Sequence, residues 1–218
     1  MRSTPFVMAI LALTAGVLAC PAWADDLLPP PWRGHPGTTF EEWEFSTPNP
    51  VTPPAPVYNP YGMPSAHAWP GTGQNWVDQW GGRQGMWPLS GTIEATIPNR
   101  PEPLPYKDIW VQLTWARQVE SSAAVVWEMN SGVHGTVIHD MVLGPTGYPA
   151  PNDLWYHTTY QIHLEPNPAW EIVKIDGTLV VDQLVIDTIC VPEPGTLALL
   201  ALVVPLAVAC AWRRRHAV

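Results

Sequence analysis

The sequence predicts an all-β fold, an antiparallel β-sandwich of jelly-roll type, and three observations predict it. Residues 106–190 carry apolar side chains at every second position in several short runs. Turn residues separate those runs, and no stretch keeps a helical period. The chain holds 27 prolines in 218 residues, and each interior proline costs a helix about 3 kcal/mol. That length suits one domain with a sizeable core.

The first element is not part of the fold. Residues 1–24 read as a secretory signal. Arg2 gives the positive start, Phe6 to Ala19 the apolar run, and Ala22-Trp23-Ala24 the small-residue cleavage site, followed by Asp25-Asp26. The apolar run is shorter than the roughly 20 residues that span a bilayer. Cleavage after Ala24 is the expectation. A lipoprotein signal ending at Cys20 is the alternative, weakened by Leu18.

Residues 25–105 hold 17 of the prolines and nine glycines, a composition that normally signals disorder. The same segment carries Trp32, Trp43, Trp69, Trp76, Trp80 and Trp87, and disordered chains are poor in aromatics. It is therefore expected to be an extended, irregular wrap laid over a core. Short strands are expected at Thr38–Ser46 and Gly91–Ile97. Pro29-Pro30-Pro31-Trp32 and Asn59-Pro60-Tyr61-Gly62 read as polyproline or turn segments.

The main strands follow in residues 106–190. Ile109–Arg117 puts Val111, Leu113 and Trp115 on one face. Ala123–Met129 puts Val125, Trp127 and Met129 on one face, and the turn Asn130-Ser131-Gly132 leads to His134–Leu143. In Leu154–Glu165, Leu154, Tyr156, Tyr160, Ile162 and Leu164 share one face, and Trp155, His157, Thr159, Gln161 and His163 the other. Asp176-Gly177 between Trp170–Ile175 and Thr178–Ile189 predicts a type I′ hairpin.

The C-terminal element is specific in its order of parts. Pro192-Glu193-Pro194 precedes an apolar run over residues 196–212, and Arg213-Arg214-Arg215 closes it. The run is at the lower limit for a membrane span, and the arginines would stay cytoplasmic. These three parts resemble a PEP-CTERM sorting signal over residues 191–218. The resemblance implies that exosortase is a partner and that Pro192, Glu193 and Pro194 are a processing site. It further implies transient anchoring in the inner membrane, delivery to the cell surface or the extracellular matrix, and association with exopolysaccharide. It covers only the tail and leaves the activity of residues 25–190 open.

Chemistry in the body is sparse. Six basic against 18 acidic residues between 25 and 190 give a net charge of −12, which argues against nucleic acid as a partner. Three cysteines are too few for a disulfide scaffold. Cys20 leaves with the signal and Cys210 lies in the tail, so Cys190 stands alone. It reads either as a small buried residue at a strand end or as an intermolecular disulfide. Glycoside hydrolysis needs two carboxylates about 5–10 Å apart, and Glu42 with Glu44, or Asp182 with Asp187, show no recognisable spacing. His134, His139, His157 and His163 lie on expected strands, but His157 and His163 are about 20 Å apart along an extended chain. A transition-metal cofactor is not expected. Calcium is the one ion the fold class admits, although no Asp-rich loop with ligand spacing occurs. No G-x-S-x-G elbow is present.

Carbohydrate binding is the sharper binding reading. Sugars stack on flat aromatic faces beside hydrogen-bonding side chains, and Trp110 with Trp155, His157 and Gln161 offers such a set on polar strand faces. The competing expectation is that the Pro- and Trp-rich segment covers Trp110 and Trp155. The sequence thus predicts a non-catalytic structural or interaction protein outside the cell. Its alternative is a module that binds exopolysaccharide.

Overall fold

The structure, a computed structural model, describes residues 25–101 and 104–191. The signal residues, including Ala22 and Ala24, lie outside the described residues, as do Pro192, Glu193, Pro194 and the apolar run 196–212. The described chain forms the strands β1 (Thr38–Trp43), β2 (Val51–Thr52), β3 (Val57–Tyr58), β4 (Ser65–Trp69), β5 (Val77–Trp80), β6 (Arg83–Leu89) and β7 (Thr92–Pro98). These are followed by β8 (Tyr106–Arg117), β9 (Val125–Glu128), β10 (Thr136–Pro145), β11 (Leu154–Leu164), β12 (Trp170–Asp176) and β13 (Leu179–Val191).

Two antiparallel sheets result. The larger runs β10-β11-β8-β13-β1-β3, with β6 also on β13 and β5 on β6; the smaller runs β2-β4-β7-β12-β9. The period of two predicts which side of each strand is buried. Ile109, Val111, Leu113, Trp115, Tyr160, Ile162, Leu184 and Ile186 project from the larger sheet, and Ala66, Ala68, Ile93, Ala95, Ile97, Val126, Val173 and Ile175 from the smaller. Together they form one core between the sheets, in the manner of a β-sandwich.

Three expectations are corrected here. The segment 25–105 does more than wrap: it supplies seven strands and the core side chains Trp43, Phe45, Trp87 and Leu89. Its prolines sit largely in connections and at strand ends, where a missing N–H costs no ladder bond. Asp176-Gly177 does not close a hairpin, because β12 pairs with β7 and β9 while β13 pairs with β8, β1 and β6. The chain crosses between sheets there so that Leu179 enters the core. A Cβ on Gly177 would meet Leu179 Cδ2 at 2.4 Å and the Ala123 carbonyl at 2.9 Å. In β9 the expected apolar set faces outward, with Val125 and Met129 exposed, and the core side holds Val126 and Glu128. The Glu128 carboxylate is buried because it accepts from the backbone N–H groups of Asn130, Ser131 and Ile172, holding the turn to the smaller sheet.

One end of the core is charged. Lys107 of β8 and Glu171 of β12 are fully buried and pair with each other across the two sheets. Glu41 of β1 is also buried, accepting from Asn59 at 2.8 Å and from Thr39 at 3.2 Å. Burial lifts its pKa to about 8, with the Lys107 charge pulling the other way.

Candidate functional site

The sandwich presents two outer faces, and they differ in what covers them. On the larger sheet, register sets Glu42, Val185, Gln112 and Thr159 in one row, and Gln183, Thr114 and His157 in the next. A bulge between Val181 and Gln183 lets Asp182 and Gln183 both reach this face. It is strongly polar yet buried: Glu42, Gln112, Thr114, His157, Gln183 and Asp187 are each no more than 5% exposed.

The cover is the chain's own start. The Asp25 backbone N–H donates to Gln183 Oε1, and Leu28 N–H donates to Gln112 Oε1 at 2.8 Å. Gln112 Nε2 donates to Asp26 at 2.7 Å. Arg33 binds Asp26 and donates through Nη2 to Asp187 at 2.6 Å, while its guanidinium lies 4.2 Å from the Phe40 ring centre. Arg83 pairs with Asp25 and, at 2.6 Å, with Asp182. Inside this layer His157 sits between Thr114 Oγ1 at 3.1 Å and Gln112 Oε1 at 3.3 Å. With Nε2 donating to Gln112 and Nδ1 accepting from Thr114 the ring is neutral, and burial lowers its pKa accordingly.

The four residues singled out as a glycan face divide. Trp155 is buried under the hairpin of β5 and β6: its indole N–H donates to the Gly81 carbonyl at 2.8 Å, and Trp80 meets it edge-on at 5.4 Å. His157 is 1% exposed. Trp110 is half-buried with Trp32 edge-on at 6.3 Å, and Gln161 is half-buried on the same face. Trp155 and His157 are therefore covered, while Trp110 and Gln161 are only partly so. The signal missed in the sequence is Trp80-Gly81-Gly82-Arg83, whose glycines have φ of +62° and +81°, the geometry of a two-residue hairpin turn.

Of the carboxylates considered for glycoside chemistry, two are held by cations. Asp187 is bound by Arg33 and Asp182 by Arg83, Glu42 accepts from Gln183 at 3.1 Å, and Glu44 is exposed beyond β1. Among the described residues no group of three or more His, Cys, Asp or Glu is arranged to hold a metal ion. Cys190 is buried, its thiol donating to Asn99 Oδ1 at 3.1 Å, and burial pushes its pKa up.

Burial also makes this layer acid-stabilised. It raises Glu42 to about 7 and Asp182 and Asp187 to about 6, against ordinary values of 4.5 and 3.8. Between those ordinary values and the raised ones the folded chain holds protons that the unfolded chain releases. Stability is then fully present below about pH 4 and lost as pH rises through about 6 and 7. His157 opposes this only below its ordinary 6.5. Thermal melts from pH 5 to 9 are expected to show a higher Tm near pH 6 than at pH 8.5.

The outer face of the smaller sheet carries half-exposed aromatic side chains among the described residues. One row across it reads His67, Glu94, Lys174, Trp127 and His134. Trp69 is half exposed, stacks on His67 at 3.7 Å, and donates its indole N–H to Glu94 at 3.3 Å. Lys174 pairs with Glu94 at 3.2 Å and lies 5.2 Å over Trp127, whose N–H donates to Asp176. Trp170 is 48% exposed at the start of β12. Exposed indoles on a sheet face, with charged groups fixing their N–H edges, can stack on a flat ligand.

Comparison with known families decides the C-terminal end: the model of the PEP-CTERM protein-sorting motif matches residues 191–215. The tail is a PEP-CTERM sorting motif. It implies a protein sorted by exosortase, with export and an extracellular destination. No curated protein and no solved structure matches the chain. The PEP-CTERM tail begins where β13 ends, since Val191 pairs with Tyr106 as the last residue of that strand. The sorting motif thus follows directly on a central strand, with no linker between them.

Proposed function

We propose that the protein is exported with loss of residues 1–24, held at the inner membrane by its tail, and processed by exosortase near Pro192-Glu193-Pro194. At the cell surface or in the extracellular matrix its body serves a non-catalytic interaction role through the outer face of the smaller sheet. The observation that carries this reading is the contrast between the two faces. Gln112, Gln183, Asp182 and Asp187 of the larger sheet bind the chain's own residues 25–33 and Arg83, while Trp69 and Trp170 of the smaller sheet are half exposed.

A second reading, carbohydrate binding to exopolysaccharide, draws on the stack of Trp69 over His67. The row from His67 to Trp127 crosses three strand spacings, about 14 Å, long enough to follow several sugar units.

The test follows the protein in cells. Glu193→Ala is expected to leave the unshortened chain in the membrane fraction. The double change Trp69→Ala with Trp170→Ala is expected to be processed normally but to shift the protein from the cell-surface fraction to the medium. Adding purified exopolysaccharide to wild-type cells discriminates the second reading, which expects the same shift. Normal surface retention of the double variant contradicts the interaction face.

A further inference from the structure

The polar layer of the larger sheet is short of positive charge. Asp25, Asp26, Glu42, Asp182 and Asp187 place five carboxyl groups there, against the two guanidinium groups of Arg33 and Arg83. Burial raises the pKa values of Glu42, Asp182 and Asp187, and neighbouring carboxylates add to it in each case. The Asp25 nitrogen reaches into the same layer. That nitrogen donates to Gln183 Oε1, and Gln183 donates in turn to Glu42 at 3.1 Å. Asp25 is itself clamped by Arg83, and the next contacts, Asp26 and Leu28 on Gln112, hold the chain on either side of the same site.

As a peptide N–H the Asp25 nitrogen brings one donor and no charge. Hydrolysis of the Ala24–Asp25 bond by a signal peptidase adds water across the amide. The carboxylate stays on Ala24 and the nitrogen leaves on Asp25, where it takes up a proton. An α-amino group has an ordinary pKa near 8, so it carries three donors and a full charge at neutral pH. We propose that Gln183, Glu42 and the carboxyl groups around them form a binding site for a primary ammonium, and that its occupant is the α-ammonium of Asp25 in the processed chain. This rests on the reading that residues 1–24 are removed after Ala24. Removal of the leader then completes the buried layer, so the exported body reaches its full stability only once it has been cut free.

The test compares two full chains in detergent micelles, one of residues 25–218 and one that retains Ala24. The extension removes no side chain, so it leaves every other contact available. The chain that begins at Asp25 is expected to melt about 3–6 °C higher. Its α-amine is expected to react with an acylating reagent at least tenfold more slowly than that of the extended chain. The melting difference is expected to shrink in the background of Gln183→Leu. Equal melting temperatures together with equal labelling rates overturn the proposal. Mass spectrometry of the exported protein reads the underlying assumption separately: a mature chain starting at Asp25 supports it, and a start elsewhere overturns the leader reading rather than the geometry of the site.

Discussion

Lys107→Met is expected to destabilise the body by about 3–5 kcal/mol, lowering Tm by about 10 °C. Lys107 and Glu171 are both fully buried, and the pair spans the two sheets. Without the ammonium, the Glu171 carboxyl is left in the interior with no cation. Burial already raises its pKa, and Lys107 is what lowers it, so the variant must protonate Glu171 to fold. The loss should therefore be larger at pH 8 than at pH 5. Taking out both charges, Lys107→Met with Glu171→Leu, is expected to recover most of the stability, because a buried ion pair replaced by apolar side chains of similar size is often neutral or better. Urea melts of the wild type, the single and the double variant check this. A single variant as stable as the wild type contradicts the burial of the pair.

Arg33→Met carries the second large effect, about 2–3 kcal/mol, and it acts on the cover rather than the core. Arg33 binds Asp187, whose side chain is fully buried, and Asp26 in the segment that closes the polar face. Its loss leaves Asp187 uncompensated and removes the clamp on residues 25–35. Arg33 holds the Asp187 pKa down to about 6 against burial, so the variant's Asp187 titrates higher still. The destabilisation should thus grow as pH rises above about 6 and shrink towards pH 5, where Asp187 is protonated in both proteins. Limited proteolysis is expected to cut the variant within residues 25–36 while the strands stay intact. Resistance equal to the wild type would mean that the cover is held by other contacts.

Much of the larger sheet was legible in the sequence, because β8 and β11 carry large aliphatic and aromatic residues with a clean period of two and β13 is rich in β-branched residues. The coverage of Trp155 was legible for a related reason: an indole on a polar strand face calls for partners, and proline- and tryptophan-rich chain was at hand, although Trp110 is only half-buried. The smaller sheet was harder to read. In β4 the inward residues are Ala66 and Ala68, too small to stand out against Ser65, His67 and Trp69, so the aromatic face went unnoticed. β9 misled because its larger apolar residues point to solvent while Glu128 is buried to hold a turn. The path after Gly177 depends on where Leu179 finds apolar neighbours, which is a tertiary fact that a two-residue turn signal does not contain. The bulge at Asp182 likewise has no mark in the sequence, yet it is what sets Asp182 and Gln183 together beneath Asp25.

In the proposed role, the chain itself closes the polar face of the larger sheet around His157 and Trp155, and the aromatic face of the smaller sheet meets the partner. Oxidative footprinting of tryptophan, on the mature protein free in solution and on the cell surface, tests it most directly. The account predicts that Trp69 and Trp170 are oxidised in the free protein and protected on cells, while Trp43 and Trp155 stay unmodified in both. Oxidation of Trp155 in the free protein with protection on cells would contradict it, and would move the contact surface to the larger sheet.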